Sequence, residues 1–554
     1  VADSHRYVTL MEHVAVLDPA LFLALGVHYG VCLGTLEHHR RSPYVSKMVA
    51  ELDEMNAVAV ILTTELGHGT SQGASRTLAR FDSESGDFLL RTPDVGARKF
   101  MANVAAPGIP KIGIVYATVM QDDRACGTYP FLVPIRDHQG ACTGVHVVGL
   151  GDAGPVSLDH GLVSFDDVRV PYEAWLRGSA DFDAVGDFHD PLGDTGERFV
   201  RSVAGVENMW LGLIAAAGAT ARASAAVFAR YVQQRKTAGG LAGWVPVMCY
   251  RNIQEALFGA MAESYALTFV VNETVHGRRV FRDTGAGGRG QADAKSATWT
   301  ALNRDLALIK VLATEATGRV AARCRERCGA QGVLLANRLV DYEGFAHAGK
   351  AIAGDNQLFL LDAARNIVLA GDLTSAPRER SSERGAADLR DPAALLALAR
   401  LREHRLLNEL GRHVESSLQL GASEFDAWNE VLVLACTLME ARGLVAFLES
   451  FSAALETADP DGRRLLLPLQ ILYSIERVEG FAGWYLSEGL VNNDFLSAIP
   501  AVKNECYDLL LPSLEVLVHA LDVPENLIQA PIMAEDYVTA FPGPAFLSTN
   551  HPGK

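Results

Sequence analysis

The stretch from residue 200 to 237, VRSVAGVENMWLGLIAAAGATARASAAVFARYVQQRKT, constrains the fold more than any other part of the chain. It lacks proline and is dense in alanine, so it is predicted to form one long helix that neighbours can approach closely. A helix this apolar must be surrounded. Suitable partners are YRNIQEALFGAMAESYALTFVVNETV, DLALIKVLATEATGRVAARCRER and the opening stretch of the chain; four long helices make a bundle.

That bundle cannot be the whole protein, because 554 residues with 49% hydrophobic content imply about three or four folding units. Residues 1–60 read as a short N-terminal helical domain, since the apolar positions of LFLALGVHYG and VSKMVAELDEMNAVAVILTT are too closely spaced for an alternating strand. From 61 to 175 the texture changes to short β-type runs broken by turns, among them FDSESGDFLL, IGIVYATVM, YPFLVPI and LVSFDDVRVP. The helical bundle then occupies 176–373. The charged segment 374–392, TSAPRERSSERGAADLRDP, reads as a linker, and 393–554 as a second, C-terminal helical domain. The predicted class is mainly α with a central β domain.

A formal charge of −17 argues against a nucleic-acid partner. The closest cysteines, Cys324 and Cys328, sit in a helical run rather than a zinc knuckle, which with the scatter of the others points to a reducing compartment and no metal. No run of 18 or more uninterrupted apolar residues, no signal-peptide layout and no address in the tail STNHPGK are found, so a soluble, cytoplasmic protein without membrane contact is expected.

The run ILTTELGHGTSQG, 61–73, sets the hydroxyls of Thr64 and Thr70 around a glycine-rich turn. Such a turn brings backbone N–H groups and short side chains up to an anion or a flat ring. It is followed in order by RTPDVGARKF, YPFLVPIRD, GPVSLDHGLVSFDDVRVP, ARYVQQRKT, RERCGAQGVL, AGDNQLFLLDAARN and LQILYSIERVEGFAGWYLSEGL. This ordered set, over roughly residues 60–540, resembles the acyl-CoA oxidases, a branch of the acyl-CoA dehydrogenase superfamily. The N-terminal helical domain looks shorter than in that family.

The resemblance implies a β-barrel-like middle domain between helical domains, FAD at the interface of a homodimer (a heteromer remains open), an acyl-CoA or acyl-carrier-protein thioester as substrate, and O2 as electron acceptor. It implies flavin contacts for Thr64 and Thr70, and a place beside the cofactor for Lys99, Met101 and Asn103 of KFMANV, where Met101 replaces an aromatic and Asn103 a glycine or threonine. Arg235 corresponds to the arginine that meets the FAD diphosphate across the dimer. Gln331 and Gly332 stand at the histidine-glycine of CGGHGY; Asp355 and Asn356 keep the last two positions of EGDN.

The family's catalytic glutamate falls at Ala353. From Cys328 to Ala353 is 25 positions, the family's spacing without a gap, so the upstream Glu343 of Tyr342-Glu343-Gly344 imitates the motif without occupying its place. Relatives that carry the base on the long helix would place it at Met209, and Glu207 would reach that face only from an irregular helix start. Alanine keeps the backbone N–H that in the family holds the thioester oxygen. Three readings stay open: an acyl-thioester oxidase or dehydrogenase with a relocated base, an oxygenase or other flavin reaction in a remodelled pocket, and a non-catalytic subunit supplying half of a FAD site.

Overall fold

The computed structural model describes residues 4–39, 42–151, 154, 156–239, 243–277, 302–369 and 388–541. At its centre the alanine-rich helix Val206–Gln234 runs through the molecule, buried along nearly its whole length. Against it pack Ser4–Leu17, Arg251–Val275 and Arg304–Arg327, the three partners expected from the sequence. The apolarity that would let this helix cross a membrane is used in packing: 89% of its most apolar window is buried inside the protein.

Between the first helix and the rest of the bundle the chain departs to form the β domain. Its strands are β1 (Val58–Leu62), β2 (Leu78–Asp82), β3 (Asp87–Arg91), β4 (Lys99–Asn103), β5 (Lys111–Gln121), β6 (Arg124–Arg136), β7 (Val145–Gly149), β8 (His160–Phe165) and β9 (Val168–Val170). One sheet runs β1-β5-β2-β3-β9 with β6 on the other edge of β5; the second runs β4-β8-β7. Both close on one apolar core around Phe88, Phe131 and Trp175. The β5–β6 hairpin turns through Asp122 at φ +52°, the left-handed conformation that two-residue hairpins require.

The expected helix through residue 60 is corrected. Pro43–Asp53 is helical, but Val58–Leu62 is a strand parallel to β5. It is covered on both faces, so it shows no apolar–polar alternation and reads in sequence like more helix.

The helical stretch Pro19–Leu36 opens into a wider π-type turn over Gly26–Leu33 where it lies on the long helix. A Cβ on Gly30 would stand 2.5 Å from the Tyr7 hydroxyl and 3.3 Å from the Met209 nitrogen, so only glycine permits this approach. Cys324 and Cys328 are free and buried in the bundle. Of the expected linker 374–392, residues 374–387 lie outside the described residues; the C-terminal domain begins with helix Pro392–Gln419, capped by Asp391, and continues through Leu432–Thr457, Pro460–Gly480 and Asn493–Leu510.

Candidate active site

A cavity of about 690 Å³ opens where the β domain meets the bundle. One wall is the turn after β1 together with β4, contributing Thr64, Thr70, Met101 and Asn103. Pro19–Leu36 and the start of the long helix supply an apolar wall that includes Val27 and Met209. Helix Leu339–Ala351 and the loop after it, Ile352–Asp355, complete the enclosure.

On the β side, the motif's own glutamate organises the turn. Glu65 is buried and accepts from the hydroxyls of Ser75 and Thr77, the backbone N–H groups of Arg76 and Thr77, and the Lys99 ammonium at 2.9 Å. Burial alone would raise this carboxyl; Lys99 and the converging N–H donors overcome it and hold it down at about 2. Lys99 is wholly buried, pushed down to about 8 by desolvation against the pull of Glu65. This corrects the cofactor contact expected of Lys99: it faces inward and anchors the turn from below. Above that anchor, Thr70 and Met101 have φ of +59° and +64°. Such strained positions gather at binding walls.

The opposite wall is the loop that stands where the family carries its base. Ala353 has φ +55° and Gly354 φ +107°. A Cβ on Gly354 would lie 2.1 Å from the Phe359 ring, so glycine is required on both conformational and steric grounds. The Trp210 indole N–H donates to the Ala353 carbonyl at 2.7 Å, and Lys310 Nζ donates to the Gly354 carbonyl at 2.6 Å. Among the described residues the Ala353 N–H has no hydrogen-bond partner within the protein.

The loop's two polar side chains are already engaged. Asp355 caps helix Asn356–Leu369, its Oδ1 accepting from Gln357 and Leu358. Asn356, expected at the cofactor, is instead buried, accepting from Lys310 at 2.9 Å and donating to Thr314 and Glu315; it ties the loop to the bundle.

Glu207, in the first turn of the long helix, does not line the cavity, whereas Met209 does. The helix opens on i→i−3 bonds from Val206, Glu207 and Asn208, yet this start does not bring Glu207 to the cavity wall, so the substitute base expected of it is not placed at the pocket. Glu343 does line the cavity, but its Oε2 accepts from Arg325 at 2.6 Å. Eight helical positions separate it from Ala351, roughly 12 Å along the axis.

Arg235, Gln331 and Gly332 stand apart from the cavity. Arg235 caps the far end of the long helix and lies over Tyr231, while the Gln331 side chain accepts from Asn337 and the Gly332 carbonyl from Arg325.

Among the cavity residues that escaped the sequence reading are two histidines. His160 lies opposite Asn103 in the β4–β8 pairing and holds the Met101 carbonyl through Nδ1 at 3.0 Å. His347 is on the cavity face of its helix one turn beyond Glu343. The i, i+4 spacing of Glu343 and His347 was the available signal for the latter.

Comparisons with known proteins agree with this architecture. Residues 208–368 match the family model "Acyl-CoA oxidase, C-alpha1 domain" and residues 391–536 the model "Acyl-CoA oxidase". A relative from Arabidopsis thaliana, "Acyl-coenzyme A oxidase 2, peroxisomal", is 26% identical over 96% of this chain and 80% of its own length. Acyl-CoA oxidase1 from Yarrowia lipolytica superposes with a TM-score of 0.81 at 20% identity, covering 97% of this chain and 84% of that one. Caenorhabditis elegans Acyl-CoA oxidase-2, whose structure is bound with FAD, ascaroside-CoA and ATP, superposes at 0.75 and 20% identity over 93% of this chain and 78% of that one. The cytoplasmic placement expected from the sequence is corrected by the same comparison, since the Arabidopsis relative is peroxisomal by name and a missing address in the tail is no guide to compartment.

Proposed function

This chain belongs to the acyl-CoA oxidase family, and we propose that it binds FAD and an acyl-CoA or acyl-carrier-protein thioester in the cavity between β domain and bundle. The observation that carries this reading is the Ala353 N–H, unpartnered within the protein and carried by a loop that lines the same cavity as Thr64, Thr70, Met101 and Asn103. A backbone donor placed there stabilises negative charge developing on a thioester oxygen.

The residues present suit FAD. Two threonine hydroxyls and the Asn103 amide share a wall with the apolar Met101, a set that fits a flat ring with polar edges, and the buried Nδ1 of His68, in the glycine-rich turn, has no partner among the described residues. The chemistry FAD supplies when bound is hydride acceptance from Cβ and electron transfer onward to O2. Arg235, Gln331 and Gly332, which do not line their own chain's cavity, would reach the cofactor held by a second copy in a homodimer.

What the chain does not offer at Ala353 is a proton acceptor. A positioned general base contributes about 10²–10⁴ in rate, so straight-chain acyl-CoAs are expected to reduce the flavin slowly. Anaerobic addition of an acyl-thioester panel to FAD-loaded protein, followed by bleaching of the flavin band, tests this. Ala353→Glu returns a carboxylate to the loop and is expected to accelerate bleaching by a comparable 10²–10⁴.

The engagement of Asp355 as a helix cap and of Glu343 by Arg325 favours a second reading, in which the site binds and polarises without deprotonating. That reading gains if thioester and FAD bind but neither wild type nor Ala353→Glu bleaches. Failure to bind FAD at micromolar concentration would sink both.

A further inference from the structure

We infer that Lys310 and Trp210 are positioning residues: through the Lys350, Ala353 and Gly354 carbonyls they hold the peptide units before and after the one that carries the Ala353 N–H, and so present that N–H to the thioester oxygen. The inference rests on the thioester reading above and assigns the part of the protein that makes that donor effective.

Two successive residues at positive φ, the first of them alanine, do not persist in a free loop; the surroundings must over-determine them. Here they do. The Trp210 Nε1–H fixes the Ala353 carbonyl from the long helix at 2.7 Å. Lys310, on helix Arg304–Arg327, reaches three oxygens that bracket the loop: the Lys350 carbonyl near the end of the preceding helix at 3.4 Å, the Gly354 carbonyl at 2.6 Å and the Asn356 Oδ1 at 2.9 Å. Three acceptors match the three N–H donors of an ammonium. The Phe359 ring fills the space under Gly354, edge-on to Trp210 at 5.5 Å and 5.4 Å from Lys310 Nζ.

Lys310 and Trp210 are both wholly buried, and neither lines the cavity. A buried ammonium is costly when its only task is to fill space. The three oxygens it serves span the join between two helices and include the loop's Gly354 carbonyl. Because the clamp does not touch the acyl chain, its loss should change carbonyl polarisation rather than affinity.

The test uses full-length, FAD-loaded protein and an acyl-CoA labelled with 13C at the thioester carbonyl, read by anaerobic difference infrared spectroscopy. Wild type is expected to lower the carbonyl stretch relative to free acyl-CoA. In Lys310→Met and in Trp210→Phe that displacement should fall by about half or more, while the dissociation constant of the acyl-CoA moves by less than about threefold. Should Lys310→Met fail to fold, Trp210→Phe, which keeps the aromatic packing and removes only the donor side of the indole, carries the same comparison. A band unchanged from wild type in the folded variants, with lowered melting temperature alone, overturns the assignment and makes both residues merely structural. No displacement in wild type overturns the thioester reading and this inference together.

Discussion

At Gly354 a positive φ and the Phe359 ring leave no room for a side chain. Gly354→Ala is therefore expected to displace the loop and destabilise the protein by about 1–3 kcal/mol from backbone strain alone; thermal unfolding and FAD retention measure it. Lys310 gives the same region a pH dependence. Burial pushes its ammonium down to about 7, opposed by Asp355 and Glu315, the latter also paired with Lys350. Its pKa in the fold lies below the ordinary 10.5, so between those values the unfolded chain holds more protons and stability rises with pH. Wild type should gain stability relative to Lys310→Met as pH climbs from 7 towards 10, followed by denaturant unfolding. A flat difference would mean that Lys310 does not titrate in that range. The AGDN loop was legible because a motif of fixed spacing brackets it. Lys310 was not, because one lysine inside LALIKVLATEA looks like a solvated helix position until tertiary structure closes over it.

Among the elements, the turn after β1 depends on a buried charge pair. Removing one partner of such a pair leaves an uncompensated charge, so Lys99→Met is expected to cost about 3–5 kcal/mol and to loosen Thr64 and Thr70 together, visible as lower FAD affinity. Because the Glu65 carboxyl is held at about 2, below its ordinary range, its contribution is complete above pH 4.5 and is lost as pH falls towards 2. Acid unfolding of wild type should therefore steepen in that window, and Glu65→Gln should remove the steepening. Sequence located TELGHG but assigned its neighbours by family analogy. That analogy cannot tell a lysine beside the cofactor from one beneath the turn. The strand β1 was missed for a related reason, since full burial erases the alternation by which strands are read.

Over the whole molecule, the join between bundle and C-terminal domain centres on another buried carboxylate. Glu263, on Arg251–Val275, accepts from Arg319 of the bundle and Arg477 of helix Pro460–Gly480. Burial would raise its pKa, and the surrounding arginines hold it down. Glu263→Gln is expected to weaken the join by about 3–5 kcal/mol and to split a single calorimetric transition into two; one unsplit transition would place the coupling elsewhere. The C-terminal domain itself was readable from the charged linker before it and from the family likeness of LQILYSIERVEGFAGWYLSEGL, whereas the ion cluster that fastens it joins Glu263 to Arg477, more than two hundred positions apart.

The same separation in sequence has a consequence for synthesis. Ser4–Leu17 emerges from the ribosome long before Val206–Gln234, the helix it packs against, and the β domain is made between them. At about 5–20 residues per second the first helix waits roughly ten to forty seconds for its partner. During that interval the two sheets formed by β1–β9, whose strand pairings lie within residues 58–170, can close and cover the apolar face of Pro43–Asp53, which packs on them, while Ser4–Leu17 still lacks the long helix. Among these elements Ser4–Leu17 is therefore the one whose burial waits on the long helix, however early its own residues are made.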